Sequence, residues 1–272
     1  MPHQLEILHF PPDTAIAGRP PLLFLHGAFC GAWIWAEHFL PWFAARGWDC
    51  WAPSFRGHGA SPLNGSLHAC GPEDYVADAL AALDDLPAAP VVIGHSMGGM
   101  AAQRCLAGRA LPGGVMMASA PPHGLMQANI GLAWRDPFVF RQMSLLTTLG
   151  REHVDPEGVR RAMFSNRVSL EELARWEPLL GDESRRVLLE MSLWNPFPPR
   201  PQGKPPILVL GGGQDVLFPP DQVRATARFY GVEAEFFAEM GHTMMLEPDW
   251  ELAAARIERW LKENIADTRQ SS

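Results

Sequence analysis

Short, uninterrupted apolar runs recur along this chain, and stretches with helical spacing separate them. Residues 22–25, 48–53, 91–93 and 114–120 read as strands, and residues 33–46, 73–86 and 97–107 as the helices between them. A strand that is apolar at every position has no face to give to water. It belongs in a parallel sheet whose crossover helices cover both sides. The expected class is therefore α/β, with a mostly parallel central sheet and helices on both faces. A short alternating strand at 5–10 precedes this series. Strands at 207–210 and 233–237 and helices at 220–230 and 248–265 resume it near the end.

The rhythm breaks between residues 121 and 204, where only helical segments rich in Trp and Met are found before a run of prolines closes the stretch. Residues 1–120 and 205–272 are expected to form one core domain, and 121–204 a helical cap inserted over the C-terminal ends of the strands. Most large apolar residues of such a segment pack among themselves. A cap still turns one face to the site, and Trp134, Met143 and Trp194, with Phe29 and His123 from outside or at its edge, are the candidates for an adaptable apolar pocket wall. Residues 267–272 read as a frayed tail.

Composition narrows the partners. The chain has 272 residues, 47% of them hydrophobic, which suffices for a large core. Charged residues make up 19% and the formal net charge is -8, so no basic surface exists to neutralise a phosphate backbone, and nucleic acid is not expected. Residues 1–10 lack the pattern of a secretory leader and no apolar run reaches membrane-spanning length, so a cytoplasmic protein without a membrane span is expected. Cys30, Cys50, Cys70 and Cys105 form no C-x-x-C pair, and the histidines lack H-E-x-x-H spacing. No metal and no cofactor are expected. Cys50 and Cys105 read as buried thiols, and Cys30 as a pocket-wall residue. Oligomeric state is left open.

The chemistry-bearing residues follow the strands. Gly94-His95-Ser96-Met97-Gly98 lies between an apolar strand and a helix start, the setting in which a serine on a sharp turn is pushed clear of the sheet. The N-H groups of the following helix point at whatever charge develops beside it. In a parallel sheet all strand C-termini lie on one edge, so His26, Ser96, Asp215 and His242 are expected to converge there. A serine nucleophile needs a base, and the base a carboxylate that fixes its tautomer. His242 is the expected base and Asp215 the expected acid. The alternative place for the acid, after strand 114–120, holds Ser119-Ala120-Pro121-Pro122 and no carboxylate. His95, His26, His58 and Arg56 read as structural supports, and Glu247 as a residue starting the last helix.

In motif and in the order Ser96, Asp215, His242, the chain resembles the α/β-hydrolase fold superfamily over its whole length. That resemblance implies an oxyanion loop at His26-Gly27-Ala28-Phe29, with the backbone N-H groups of Ala28 and Met97 as donors rather than that of Phe29. The segment 26–33 is similar to the branch containing small-molecule methyl esterases and hydroxynitrile lyases. The sequence departs from the family in one turn: Ser54 stands where relatives carry an aspartate before Arg56-Gly57-His58-Gly59, which is expected to leave Arg56 without a local carboxylate. The N-terminus is also short for two leading strands.

The expected function is that of a serine hydrolase that cleaves a small to medium apolar carboxylic ester through an acyl-enzyme. A thioesterase, carbon-carbon bond hydrolase, hydroxynitrile lyase or perhydrolase on the same site is the alternative within enzymes. A non-catalytic ligand receptor on this fold is the alternative outside them.

Overall fold

The computed structural model describes residues 5–265. Seven strands, β1 (Ile7–Phe10), β2 (Leu22–Leu25), β3 (Cys50–Pro53), β4 (Val91–His95), β5 (Gly113–Met117), β6 (Ile207–Gly212) and β7 (Ala234–Phe237), form one sheet in the order β1-β3-β2-β4-β5-β6-β7. β1 runs antiparallel to β3 at one edge, and every other pairing is parallel. Every residue of β2, β4, β5 and β6 is buried, as sequences that are apolar but for His95 at the end of β4 require.

Helices α1 (Trp33–Ala36), α2 (Phe39–Ala44), α3 (Pro72–Asp84) and α4 (Met97–Gly108) connect the first five strands. Alternation along β2 shows how the two faces are filled. Leu22 and Phe24 join a cluster with Trp35, Phe43, Ile93 and Trp260, whereas Leu23 and Leu25 join Tyr75, Val92, Met116 and Val223 on the other side. Full burial of each large side chain contributes roughly 1.5–3 kcal/mol relative to exposure. A single helix over 33–46 is not what forms. Pro41 has no N-H for the carbonyl four residues back, and its ring crowds that carbonyl. The helix stops at Ala36 and restarts at Phe39, which places Pro41 in a first turn, where the missing donor costs nothing.

Between β5 and β6 lies a helical insertion: α5 (Met126–Arg135), α6 (Pro137–Thr148), α7 (Pro156–Met163), α8 (Leu170–Trp176) and α9 (Arg185–Met191). Asp136, Asp155, Ser169 and Ser184 each cap the helix that follows them with a side-chain oxygen. After β6 the chain forms α10 (Pro220–Tyr230), β7 and α11 (Trp250–Asn264). The tail at 267–272 lies outside the described residues. Among the described residues, no helix is long and apolar enough to cross a membrane.

Candidate active site

The loops after β2, β4, β6 and β7 meet at the sheet's C-terminal edge. Ser96 sits between β4 and α4 with φ 52° and ψ -119°, a conformation that non-glycine residues rarely adopt. The surroundings hold it there. Its N-H points to the carbonyls of Met117 and Ala118 at 3.3 and 3.2 Å, and its own carbonyl accepts from Gly99 and Ala120 at 2.9 and 3.0 Å. Strain fixed by so many partners is a mark of functional turns. Close approach explains the two flanking glycines. A Cβ at position 98 would strike the carbonyl oxygens of Leu25 and His26, and one at 94 the carbonyl oxygen of Gly98.

Asp215 follows β6 in a loop that closes on its own side chain. Oδ1 accepts the N-H groups of Leu217 and Phe218, both at 2.9 Å, which leaves Oδ2 for Nδ1 of His242 at 2.8 Å. Asp215 and His242 are both buried. With Nδ1 donating to the carboxylate, the neutral imidazole presents a lone pair on Nε2. The histidine loop is pinned from three sides. His95 Nε2 donates to the His242 carbonyl at 3.1 Å, Gly241 N-H donates to Glu247 at 2.8 Å, and Thr243 N-H donates to the Met163 carbonyl at 2.8 Å. No hydrogen bond joins the Ser96 hydroxyl to His242 among the described residues. The two residues share a cavity wall, and contacts of this kind commonly tighten only when substrate is bound.

The N-H groups of Ala28 and Met97 have no hydrogen-bond partner among the described residues, and both residues line the same cavity. Phe29 differs. Its N-H donates to Glu183 Oε2 at 3.3 Å, so it is already committed.

The neighbouring histidines are supports. His26 donates from Nδ1 to the Gly27 carbonyl at 2.8 Å and accepts the Phe55 N-H on Nε2 at 3.0 Å. Burial, then the nearby His58, pushes its pKa down to about 3. Burial first and then His242 likewise push His95 well below its ordinary value. Both stay neutral in the folded protein, whereas in the unfolded chain they protonate near pH 6.5. Stability is therefore greatest above that value and falls as the pH drops from ~6.5 toward the folded pKa values. The loss for His26 is on the order of a few kcal/mol, at ~1.4 kcal/mol per pH unit separating the two states. Thermal melting between pH 7 and 4 is expected to show a steep fall in Tm that is shallower in His26→Gln. An unchanged slope in that variant would refute the assignment.

The cavity encloses about 630 Å³. Ser96, His242, Ala28, Phe29 and Met97 form its floor, and α5 to α9 with their connecting turns supply most of its walls, largely apolar. Phe29 and Met143 line it. Trp134, Trp194 and His123 do not. Trp134 projects outward and is 84% exposed, because α5 turns its Ala128 and Leu132 inward instead. The His123 ring stacks on Trp194 at 5.0 Å and donates from Nδ1 to the Asn195 carbonyl at 3.0 Å, outside the cavity lining. Cys30 is also off this wall. It is buried behind it against Trp33 and Ile34, and burial first, then Glu183, pushes its thiol up to about 12.

Several supports were not legible in sequence. Arg56 does have carboxylate partners, supplied by α3: Asp78 at 2.7 Å and Asp74 at 2.8 Å. Ser54, in the place of the family's aspartate, accepts the Ala32 N-H and donates to Glu6 at 2.6 Å. Glu247 does not start the last helix, which begins at Trp250. It is buried and accepts from Gly241 N-H and from the N-H and hydroxyl of Ser165 in the insertion. Glu183 was missed altogether. Its one clue is an acidic residue beside a helix-capping serine in the segment Gly181-Asp182-Glu183-Ser184, a pattern equally typical of a solvated loop. No group of three or more His, Cys, Asp or Glu among the described residues has metal-holding geometry.

Residues 22–255 match the sequence profile described as "Alpha/beta hydrolase family". The chain belongs to that family. No curated protein sequence matches this alpha/beta hydrolase. Its fold is similar to an esterase from Exiguobacterium antarcticum, at 16% identity over 95% of each chain with a TM-score of 0.72. It is also similar to a monoacylglycerol lipase from Paleococcus ferrophilus, at 18% identity over 96% of this chain and 99% of the other, TM-score 0.67. An enol-lactonase from Burkholderia xenovorans shares 16% identity over 95% and 96% of the chains, TM-score 0.69. At such identities the likeness concerns the fold.

Proposed function

We propose that this alpha/beta hydrolase is a serine hydrolase that cleaves a small to medium apolar carboxylic ester through an acyl-enzyme, with residues 121–204 acting as its cap. The supporting observation is the Asp215 to His242 hydrogen bond of 2.8 Å at the floor of a 630 Å³ cavity that Ser96 also lines. In this reading the Ser96 hydroxyl attacks the ester carbonyl carbon as His242 Nε2 takes its proton. The N-H groups of Ala28 and Met97 hold the developing oxyanion. The imidazolium, stabilised by Asp215, returns the proton to the departing alkoxide, and the acyl group stays on Ser96. Water, deprotonated by the same histidine, then releases the acid. Apolar walls favour an alkyl or aryl acyl group, and the volume lies within the range of about 300–1,000 Å³ usual for small-molecule sites.

A fluorophosphonate should label Ser96 stoichiometrically, and a graded ester series should show kcat/KM rising with acyl length before falling. Absence of labelling would refute the nucleophile and favour a receptor. Labelling without turnover of any ester would overturn the ester assignment in favour of thioester, carbon-carbon or cyanohydrin chemistry.

A further inference from the structure

Glu183 lies in the turn before α9 and is buried. Four donors converge on its carboxylate. Oε1 accepts from the Tyr75 hydroxyl and the Ser184 N-H, each at 2.6 Å, and Oε2 accepts from His58 Nε2 at 3.1 Å and the Phe29 N-H at 3.3 Å. His58 donates from its other nitrogen to the Arg56 carbonyl at 3.2 Å, so both ring nitrogens act as donors. Burial alone pushes His58 down, but the hydrogen bond and charge of Glu183 outweigh it and leave the pKa raised. The result is a buried ion pair between the insertion and the turn after β3. A pair like this costs desolvation and adds little net stability, so its place in the fold asks for a reason other than stability.

The reason lies in Phe29. Its φ is 64°, the left-handed region, which an aromatic residue enters only under constraint. Both of its peptide groups are gripped by the insertion: the N-H by Glu183, and the carbonyl by the Gly181 N-H at 2.8 Å. One residue upstream is Ala28, which lines the cavity and whose N-H has no hydrogen-bond partner among the described residues. We propose that Glu183 is a positioning residue that sets the Ala28 N-H for the oxyanion by locking Phe29 in its left-handed conformation. The inference rests on the serine-hydrolase reading above. It makes the insertion part of the transition-state machinery as well as a pocket wall.

Glu183→Ala removes the grip, and Tyr75→Phe removes another partner of the same carboxylate while leaving the Phe29 contact. For Glu183→Ala, kcat is expected to fall roughly 100-fold with KM within about threefold, the scale for a displaced oxyanion donor. Affinity for a boronic acid, which mimics the tetrahedral oxyanion, should fall in parallel, while affinity for an unreactive ether analogue of the substrate stays level. Tyr75→Phe should lower Tm yet keep kcat within about threefold. If Glu183→Ala does not accumulate as folded protein, Glu183→Gln serves. Its amide cannot accept from all four donors, and the same parallel loss in kcat and boronate affinity, at least about fivefold, is expected. Unchanged kcat and boronate affinity, a loss confined to KM, or an equal kcat loss in Tyr75→Phe would each overturn the proposal. Fluorophosphonate labelling of the unmodified protein separates this failure from that of the parent reading, since a protein that labels and turns over ester keeps the nucleophile whatever the variants do.

Discussion

Ser96→Ala is expected to lower ester kcat by about 10⁴ or more while leaving the fold in place. The loss is large because in the proposed mechanism nucleophile, base and acid act as a unit, and residual turnover then comes only from binding and the oxyanion donors. The turn itself survives. The backbone partners that hold φ at 52° are main-chain carbonyls and N-H groups that an alanine keeps. Thermal melting should therefore place Ser96→Ala within a few degrees of the unmodified protein, whereas the rate measured under saturating ester should be nearly abolished. A variant that retains most of the wild-type kcat would remove Ser96 from the mechanism.

Asp215→Asn should be nearly as damaging, through geometry rather than charge alone. Two N-H groups, from Leu217 and Phe218, point at Oδ1. They dictate the orientation of the replacement amide, because turning its NH₂ toward them would oppose donor to donor. The amide oxygen thus stays on Oδ1's side, and the NH₂ faces His242 Nδ1. That nitrogen must then accept, so the ring proton moves to Nε2, and His242 faces Ser96 as a donor with no lone pair to take a proton. The expected loss in kcat is on the order of 10⁴ with a small change in KM. Nitrogen-15 NMR of the His242 ring should report the switched tautomer. A variant that loses activity while keeping the proton on Nδ1 would contradict the argument.

The parts of this molecule that are legible in its sequence are those where one physical requirement dominates. β2 and β4 to β6 are apolar at every position but His95, the last residue of β4, because they are buried on both faces. The strand ends then place Ser96, Asp215 and His242 on one edge by topology alone. Where two requirements compete, the sequence is ambiguous. Apolar spacing over 33–46 suggests one helix until the cost of Pro41 in its interior is weighed against it. In the insertion, Trp134 and Trp194 look like pocket residues by composition, but which face of a helix turns inward is set by neighbours far along the chain. Buried carboxylates are the hardest to read. Glu183 and Glu247 acquire their meaning only from donors contributed by distant segments: Phe29, His58 and Tyr75 for one, Ser165 for the other.

The insertion leaves the sheet after β5 and returns at β6, and these two strands are hydrogen-bonded neighbours. Its two ends are thus already fixed by the ladder, so one contiguous length of chain can be exchanged for that of a relative without rerouting the core. If the insertion is the cap of the proposed hydrolase, such a graft would transplant substrate preference in a single step, but not freely. A donor segment without an acceptor at the place of Glu183 would leave the Phe29 N-H without its partner, and one without a hydroxyl at the place of Ser165 would leave Oε2 of Glu247 buried without its donor. Chimeras that preserve those two contacts are the ones to build first, and the same pair of contacts is where inherited changes in this segment would be felt as lost chemistry rather than altered taste.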